Sequence, residues 1–192
     1  MTSLEPLAFH PLTPELWSDF EQLFGAHGAY GGCWCMWWRI TRREFEANGN
    51  EGNREAMRTL VEAGNIPGIL AFYEDQPVGW CSIAPRTTYG AAERSHVLKR
   101  IDDEPVWSIV CFFVHRTYRR QGLARALINA AVKYAGSQGA HIIEAYPTSA
   151  RGRDLPPVSS FMGVPELFAK NGFSVVADPS ENRQVMRRSL DA

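Results

Sequence analysis

Arg119, Arg120, Gly122 and Arg125 fall within FFVHRTYRRQGLARALI, residues 112 to 128, and residues of these types at this spacing could hold an anion. An apolar strand ends at Val114, a short polar turn follows, and a helix begins near Gly122. A helix start offers backbone N–H groups without an intrahelical acceptor and a partial positive charge. Glycine at the start lets a ligand come close to the backbone, and the guanidinium groups add formal charge. The predicted chemistry is capture of a pyrophosphate-like group. Neither the Walker spacing G-x-x-x-x-G-K-[ST] nor the dinucleotide spacing G-x-G-x-x-G occurs, so the cradle is of another kind.

Two further places carry reactive or binding side chains. Glu144 is the lone carboxylate of HIIEAY (141–146), and Tyr146 lies two residues on, hence on the same strand face. The stretch YGGCWCMWWR (30–39) packs Cys33, Trp34, Cys35, Met36, Trp37, Trp38 and Arg39 into one run. Zinc sites use wider spacings and a second ligand pair, whereas Cys81 and Cys111 stand alone and no histidine pair has ligand spacing. No metal is expected, and the cysteines read as packing residues. The tryptophans fit two roles, a cap on the core or the wall of a pocket. Aromatic walls suit apolar or cationic groups, and Arg39 suits a carboxylate. A mixed role is expected, with Gly31-Gly32 allowing a tight bend into the stretch. His115 reads as a solvated turn residue.

These residues need elements to hold them. Leu7 to His10 is a short strand, and Glu15 to about Gly25 a helix with Leu16, Phe20, Leu23 and Phe24 at helical spacing. Residues 51 to 63 form a second helix, stopped by Gly64-Asn65. GILAFYE and PVGWCSIA read as a hairpin joined at Asp75-Gln76. Residues 86 to 104 are polar and give no assignment. VWSIVCFFV (106–114) is apolar throughout, as in a strand covered on both faces. Gly122 to Ser137 is a helix, 141–146 a strand, 147–163 a loop with three prolines, Pro165 to Asn171 a short helix, and 173–177 with 184–190 a final antiparallel pair. One strand–helix–strand unit in an otherwise antiparallel order predicts an α/β (α+β) fold, a mixed sheet flanked by helices.

Composition narrows the class. With 192 residues, 45% hydrophobic and 21% charged, the chain suits one globular domain over 1–192. A net charge of −1 gives no global field toward nucleic acid or anionic membrane. No apolar run approaches the roughly 20 residues of a membrane span, and the first residues lack a signal-peptide pattern. Four cysteines in a chain this long fit a reduced, cytoplasmic protein.

Arg119-Arg120-Gln121-Gly122-Leu123-Ala124 matches [QR]-x-x-G-x-[GA], and with the preceding strand, the hairpin EDQPVGW and the late PELFAKNGF it resembles the GNAT-type N-acetyltransferases over residues 66 to 190. That resemblance implies a mostly antiparallel sheet splayed between strands 106–114 and 141–146. Residues 66–190 would form the cofactor-binding core and 1–65 mainly the acceptor side. It implies acetyl-coenzyme A as acyl donor, its pyrophosphate on the backbone of 120–125 and its pantetheine arm along Phe112, Phe113 and Val114. It implies transfer to a primary amine of a small acceptor by direct attack in a ternary complex, with Glu144 as base and Tyr146 as proton donor or acceptor contact. Trp34, Trp37, Trp38 and Arg39 would line the acceptor side. Where many relatives carry a proton-donating tyrosine, this chain has Phe168, expected to pack on the cofactor arm. A non-catalytic acetyl-coenzyme A sensor and an acetyltransferase of protein or tRNA-borne amines are the alternatives. Nothing points to a membrane or nucleic-acid partner, and a homodimer is allowed.

Overall fold

The computed structural model describes residues 6–149 and 161–190. The centre of the expected loop at 147–163 lies outside them. Seven strands form one sheet: β1 (Leu7–Pro11), β2 (Gly68–Tyr73), β3 (Gln76–Pro85), β4 (Trp107–Val114), β5 (Ile142–Ala145), β6 (Ser174–Ser180) and β7 (Arg183–Ser189). Their order is β1-β2-β3-β4-β5-β7-β6, and only β4–β5 is parallel. The helices are α1 (Trp17–Phe24), α2 (Arg42–Glu62), the single turn α3 (Gly90–Glu93), α4 (Leu123–Ser137) and α5 (Pro165–Ala169). The α/β class and the splayed, mostly antiparallel sheet follow the sequence reading.

Each sheet face has its own core. On one, the apolar stripe of α4 (Leu123, Leu127, Ala131) and Phe168 of α5 cover Val78, Ile83, Ile109 and Ile143. On the other, Phe20 and Phe24 of α1, Met57 and Val61 of α2, and Trp34 to Met36 cover Leu70, Phe72 and Trp80. β3 is buried at nearly every residue because it serves both cores. A third cluster near the end of β5 joins Tyr89, Leu98, Val110, Tyr146 and Met162.

Three elements depart from expectation. Helix α2 starts nine residues early, at Arg42, where Thr41 forms a capping box with Glu44. The glycines and asparagines at 48–53 hide that start, and the helix bends at Gly49 (φ 58°). The hairpin turn is Glu74-Asp75, both left-handed, one position before the expected pair. The unassigned segment after β3 is a 3-10 turn (Arg86–Thr88) leading into α3.

The feature that positions the site is a fork in the sheet. β4 pairs with β5 only from Trp107 to Ile109. At that point the β3–β4 register shifts, Ser82 facing Cys111 and Ile83 facing Ile109, so Val110 is an extra residue. Such a bulge bends and twists its strand. The outer half of β4, Val110 to Val114, accordingly parts from β5.

Candidate active site

Outward from the fork, β4 leads into the cradle. A 3-10 turn (Arg116–Tyr118) brings the chain to Arg120 (φ 62°) and Gly122 (φ 84°), and α4 begins at Leu123. No side chain caps α4. A Cβ placed on Gly122 would meet nothing within 4 Å, so the ground before the helix end is open. Arg119, Arg120, Gln121 and Arg125 are exposed around it, while Leu123 anchors the helix in the core. Arg119 Nε donates to the Val114 carbonyl (3.0 Å) and Gln121 Nε2 to the Thr117 carbonyl (2.9 Å), which fix the turn. Open N–H groups, left-handed backbone and exposed guanidinium groups suit a pyrophosphate.

The strand edge is less open. The Phe112 N–H donates to the Phe161 carbonyl (2.6 Å), and the Thr148 N–H to the Gly163 carbonyl (3.0 Å). A strand edge with no neighbour takes whatever carbonyl comes within reach, and here it is the chain's own. A pantetheine amide paired to Phe112 has to displace Phe161. The side chains alternate as a strand demands, Phe112 toward Phe168 (5.9 Å between centroids) and Phe113 toward Phe24 (5.4 Å). Phe168 is fully buried, packed also on Phe173.

Glu144 and Tyr146 come together at the fork, but inside a buried ionic network. Glu144 is 1% exposed. Its Oε1 accepts from Arg86 Nη1 (2.7 Å) and from the Tyr146 hydroxyl (2.6 Å), and its Oε2 from Arg187 Nε (2.7 Å). Arg187 also pairs with Asp102, and Arg86 with Glu93 and the Leu98 carbonyl. The Tyr146 oxygen lies 2.8 Å from Ser108 Oγ. Burial and the neighbouring Glu144 charge push the Tyr146 phenol up, so it stays protonated. Both Glu144 oxygens are therefore engaged, and an amine reaches neither without rearrangement. Arg86, Ser108, Asp102 and Arg187 went unseen in the sequence, because they converge from separate segments with no motif spacing.

The residues of the aromatic stretch take different places. Trp34 is core rather than pocket wall: it is 3% exposed, stacks on Phe24 (5.7 Å, 16°), and its Nε1–H donates to Asn50 (2.6 Å). Gly32 (φ 68°) makes the bend, and a Cβ there would lie 2.9 Å from Asn50 Cα. Arg39 is not at a rim either. It is 7% exposed, donates to the Pro67 carbonyl (3.0 Å) and Ser82 Oγ (3.4 Å), and lies 4.4 Å from the centre of the Tyr89 ring. Trp37 is half-exposed under Arg42 and meets the Trp38 ring edge-on (6.4 Å). Trp38 is the one that reaches it, packing on the cluster that holds Tyr146, Val110 and Met162, with an Nε1–H that is buried and has no partner among the described residues.

A bulged β4 that parts from a parallel β5 and leads to a helix N-terminus no side chain caps is the layout of an acyltransferase fold. The family model described as the acetyltransferase (GNAT) family matches residues 34–153, more than half of the chain, and the chain belongs to that family. It is an acyl-coenzyme A-dependent N-acetyltransferase. Solved structures share the fold at low identity. The PaiA N-acetyltransferase from Thermoplasma acidophilum, in complex with coenzyme A, aligns with TM-score 0.55 at 14% identity over 96% of this chain and 99% of its own. The Drosophila melanogaster polyamine N-acetyltransferase aligns with TM-score 0.57 at 13% identity over 96% and 100%. The Arabidopsis thaliana NAA60 in complex with acetyl-CoA gives 0.52 at 19% identity over 96% and 99%. No curated protein matches the chain in sequence. Among the described residues there is no group of three or more potential metal ligands, and no helix long and apolar enough to cross a membrane.

Proposed function

We propose that this chain transfers the acetyl group of acetyl-coenzyme A to a primary amine on a small molecule, by direct attack while both substrates are bound. The observation that carries this reading is the uncapped α4 N-terminus beside the strand edge that leaves the sheet at Val110. In this reading, backbone N–H groups of residues 120–125 with Arg119, Arg120 and Arg125 hold the donor's pyrophosphate. The backbone of Phe112–Val114 holds its arm, with Phe168 packed behind Phe112. The donor supplies an activated thioester, and the strand's N–H groups are placed to stabilise the oxygen on which charge builds.

On the acceptor side, Trp38 offers an unpartnered indole N–H to an oxygen or nitrogen of the acceptor. Trp37 is the outer aromatic surface. Glu144 and Tyr146 serve as positioning residues: the carboxylate holds Arg86, Arg187 and the tyrosine hydroxyl in one rigid floor under the fork. An amine that arrives neutral then needs no carboxylate within reach. The polyamine acetyltransferase among the structural neighbours is consistent with an amine acceptor.

The test pairs calorimetric titration with acetyl-coenzyme A and an assay of thiol release across polyamines, aryl-alkyl amines and amino-acid amides. Saturable binding is expected, with thiol release for at least one amine. Failure to bind the donor would overturn the cradle. Release only on peptide or tRNA substrates would overturn the small-molecule acceptor.

A further inference from the structure

Past the last β4–β5 pair, Ile109 with Ala145, the next residues on the two parting edges are Val110 and Tyr146. Residues 161–163 bridge these edges, Phe161 taking the Phe112 N–H and Gly163 the Thr148 N–H. Met162 stands in the middle of that span and is fully buried. Trp38, with its orphaned indole N–H, packs on the cluster that holds Met162. Arg183 reaches the same methionine, its Nη1 lying 3.2 Å from the Met162 sulfur. It opens β7 two residues before Val185, and Val185 belongs to that cluster, so Arg183 shares its strand face.

The Arg183 Nη1 donates to the Tyr146 carbonyl (2.6 Å) and to Thr148 Oγ1 (3.1 Å). These bonds fix one corner of the guanidinium plane beside the fork. Its Nε and Nη2 have no partner among the described residues, and no carboxylate there pairs with it. On the same hairpin, Asp178 accepts from Gln184 Nε2 and Glu181 is engaged by another group. The other two arginines at the fork are each paired twice: Arg86 with Glu93 and Glu144, Arg187 with Asp102 and Glu144. Arg183 is half-buried, and burial pushes its guanidinium down from the ordinary value, though it stays charged. A partly desolvated cation without a counter-ion is costly. The Nε and Nη2 donors lie in one plane, at a spacing that matches the two oxygens of a carboxylate.

We propose that Arg183 receives a carboxylate of the acceptor on its Nε and Nη2, so that the amine to be acetylated belongs to an aminocarboxylate. This rests on the small-amine acetyltransferase reading given above. Arg183 fixes the charged end of the acceptor beside Tyr146, and Trp38 contacts it from the other side of Met162. Met162 is unbranched and can change rotamer to admit it. One guanidinium balances one charge, which favours a carboxylate over a phosphate dianion. The carboxylate contact that the sequence suggested for Arg39 thus falls to Arg183.

The test compares each acid with its own amide: L-phenylalanine with L-phenylalaninamide, and 4-aminobutyrate with 4-aminobutyramide. Phosphoethanolamine is the phosphate arm. Thiol release at saturating acetyl-coenzyme A gives kcat/KM for each, and calorimetry of the coenzyme A complex gives affinity without turnover. At least one acid should exceed its amide roughly thirtyfold in both readouts, the worth of a charge-assisted pair of hydrogen bonds, and mostly through KM. In Arg183→Gln that acid-to-amide ratio should fall to near one, and Arg183→Lys should restore part of it. A merely structural role would lower acid and amide together and leave the ratio standing. Acids no better than their amides, a ratio that survives Arg183→Gln, or a preference for phosphoethanolamine would overturn the proposal. The wild-type comparison decides even where the variants fail to fold. Acid-selective binding without thiol release would keep Arg183 as the carboxylate site and count against the transfer reaction. Thiol release on amides and acids alike would do the reverse.

Discussion

Both faces of the sheet carry a sharp left-handed turn with arginine close by, and the two turns work in opposite ways. On the α4 side, Arg120 and Gly122 turn the chain so that backbone N–H groups and guanidinium groups face solvent. On the α1 side, Trp34 and Cys35 adopt similar angles, yet their side chains point into the core and Arg39 is buried with them. In the proposed function the first turn recognises with backbone and so tolerates many side chains. The second works with side chains alone, and holding two non-glycine residues in that region costs about 1–3 kcal/mol each. Strain kept in a packed core has to be repaid by the contacts it creates, here the indole hydrogen bonds of Trp34 and Trp80.

The contrast between open and buried polar groups can be broken experimentally. The largest effect is expected from Glu144→Gln, which leaves two buried guanidinium groups short of charge. A loss of about 3–5 kcal/mol is expected, lowering the melting temperature by roughly 10 °C in calorimetry. The pH profile of the remaining activity should keep its shape, and loss of its acidic limb would return Glu144 to the role of base. Next comes Gly122→Glu, which puts a carboxylate into the open cradle. A roughly hundredfold weaker titration with acetyl-coenzyme A is expected, about 2.7 kcal/mol, in a protein with unchanged circular dichroism. Undiminished affinity would mean that the cradle is not the pyrophosphate site.

Trp38→Phe keeps the ring and removes the orphaned N–H. The acceptor KM should rise about five- to tenfold while donor affinity holds, and the fold should not weaken, because no existing hydrogen bond is lost. Thr41→Ala is the smallest change and the control. It removes the side-chain cap of α2, so about 1 kcal/mol of stability should go with no change in either substrate's binding.

The cradle was legible in the sequence because backbone recognition is local. A strand, a turn, a glycine and a helix have to follow one another, and residues 106–137 do so within a few positions. The fork was legible only through resemblance, since the bulge at Val110 leaves no mark in an apolar run. The ionic floor was not legible at all. Arg86, Asp102, Glu144 and Arg187 are spread over a hundred positions, and Arg86 lies in a polar segment that gave no assignment. The same holds for Trp34 and Arg39: a sequence shows that they are large and five positions apart, but not that both are buried. The start of α2 tells the same story, for the cap at Thr41 was present in the chain but outweighed by the glycines and asparagines that follow it, whereas its end before Gly64-Asn65 was legible.

In the proposed function, where the donor's arm pairs with Phe112, the hydrogen bond from Phe112 to the Phe161 carbonyl makes donor binding an exchange rather than a simple addition. Measured affinity is the intrinsic affinity multiplied by the fraction of molecules whose edge is bare. Substitutions near residue 161 can therefore tighten or weaken donor binding without touching the donor. The Phe112 amide is also a single proton whose hydrogen exchange reports that fraction: it slows if the arm protects it better than Phe161 does, and quickens if the arm leaves it open.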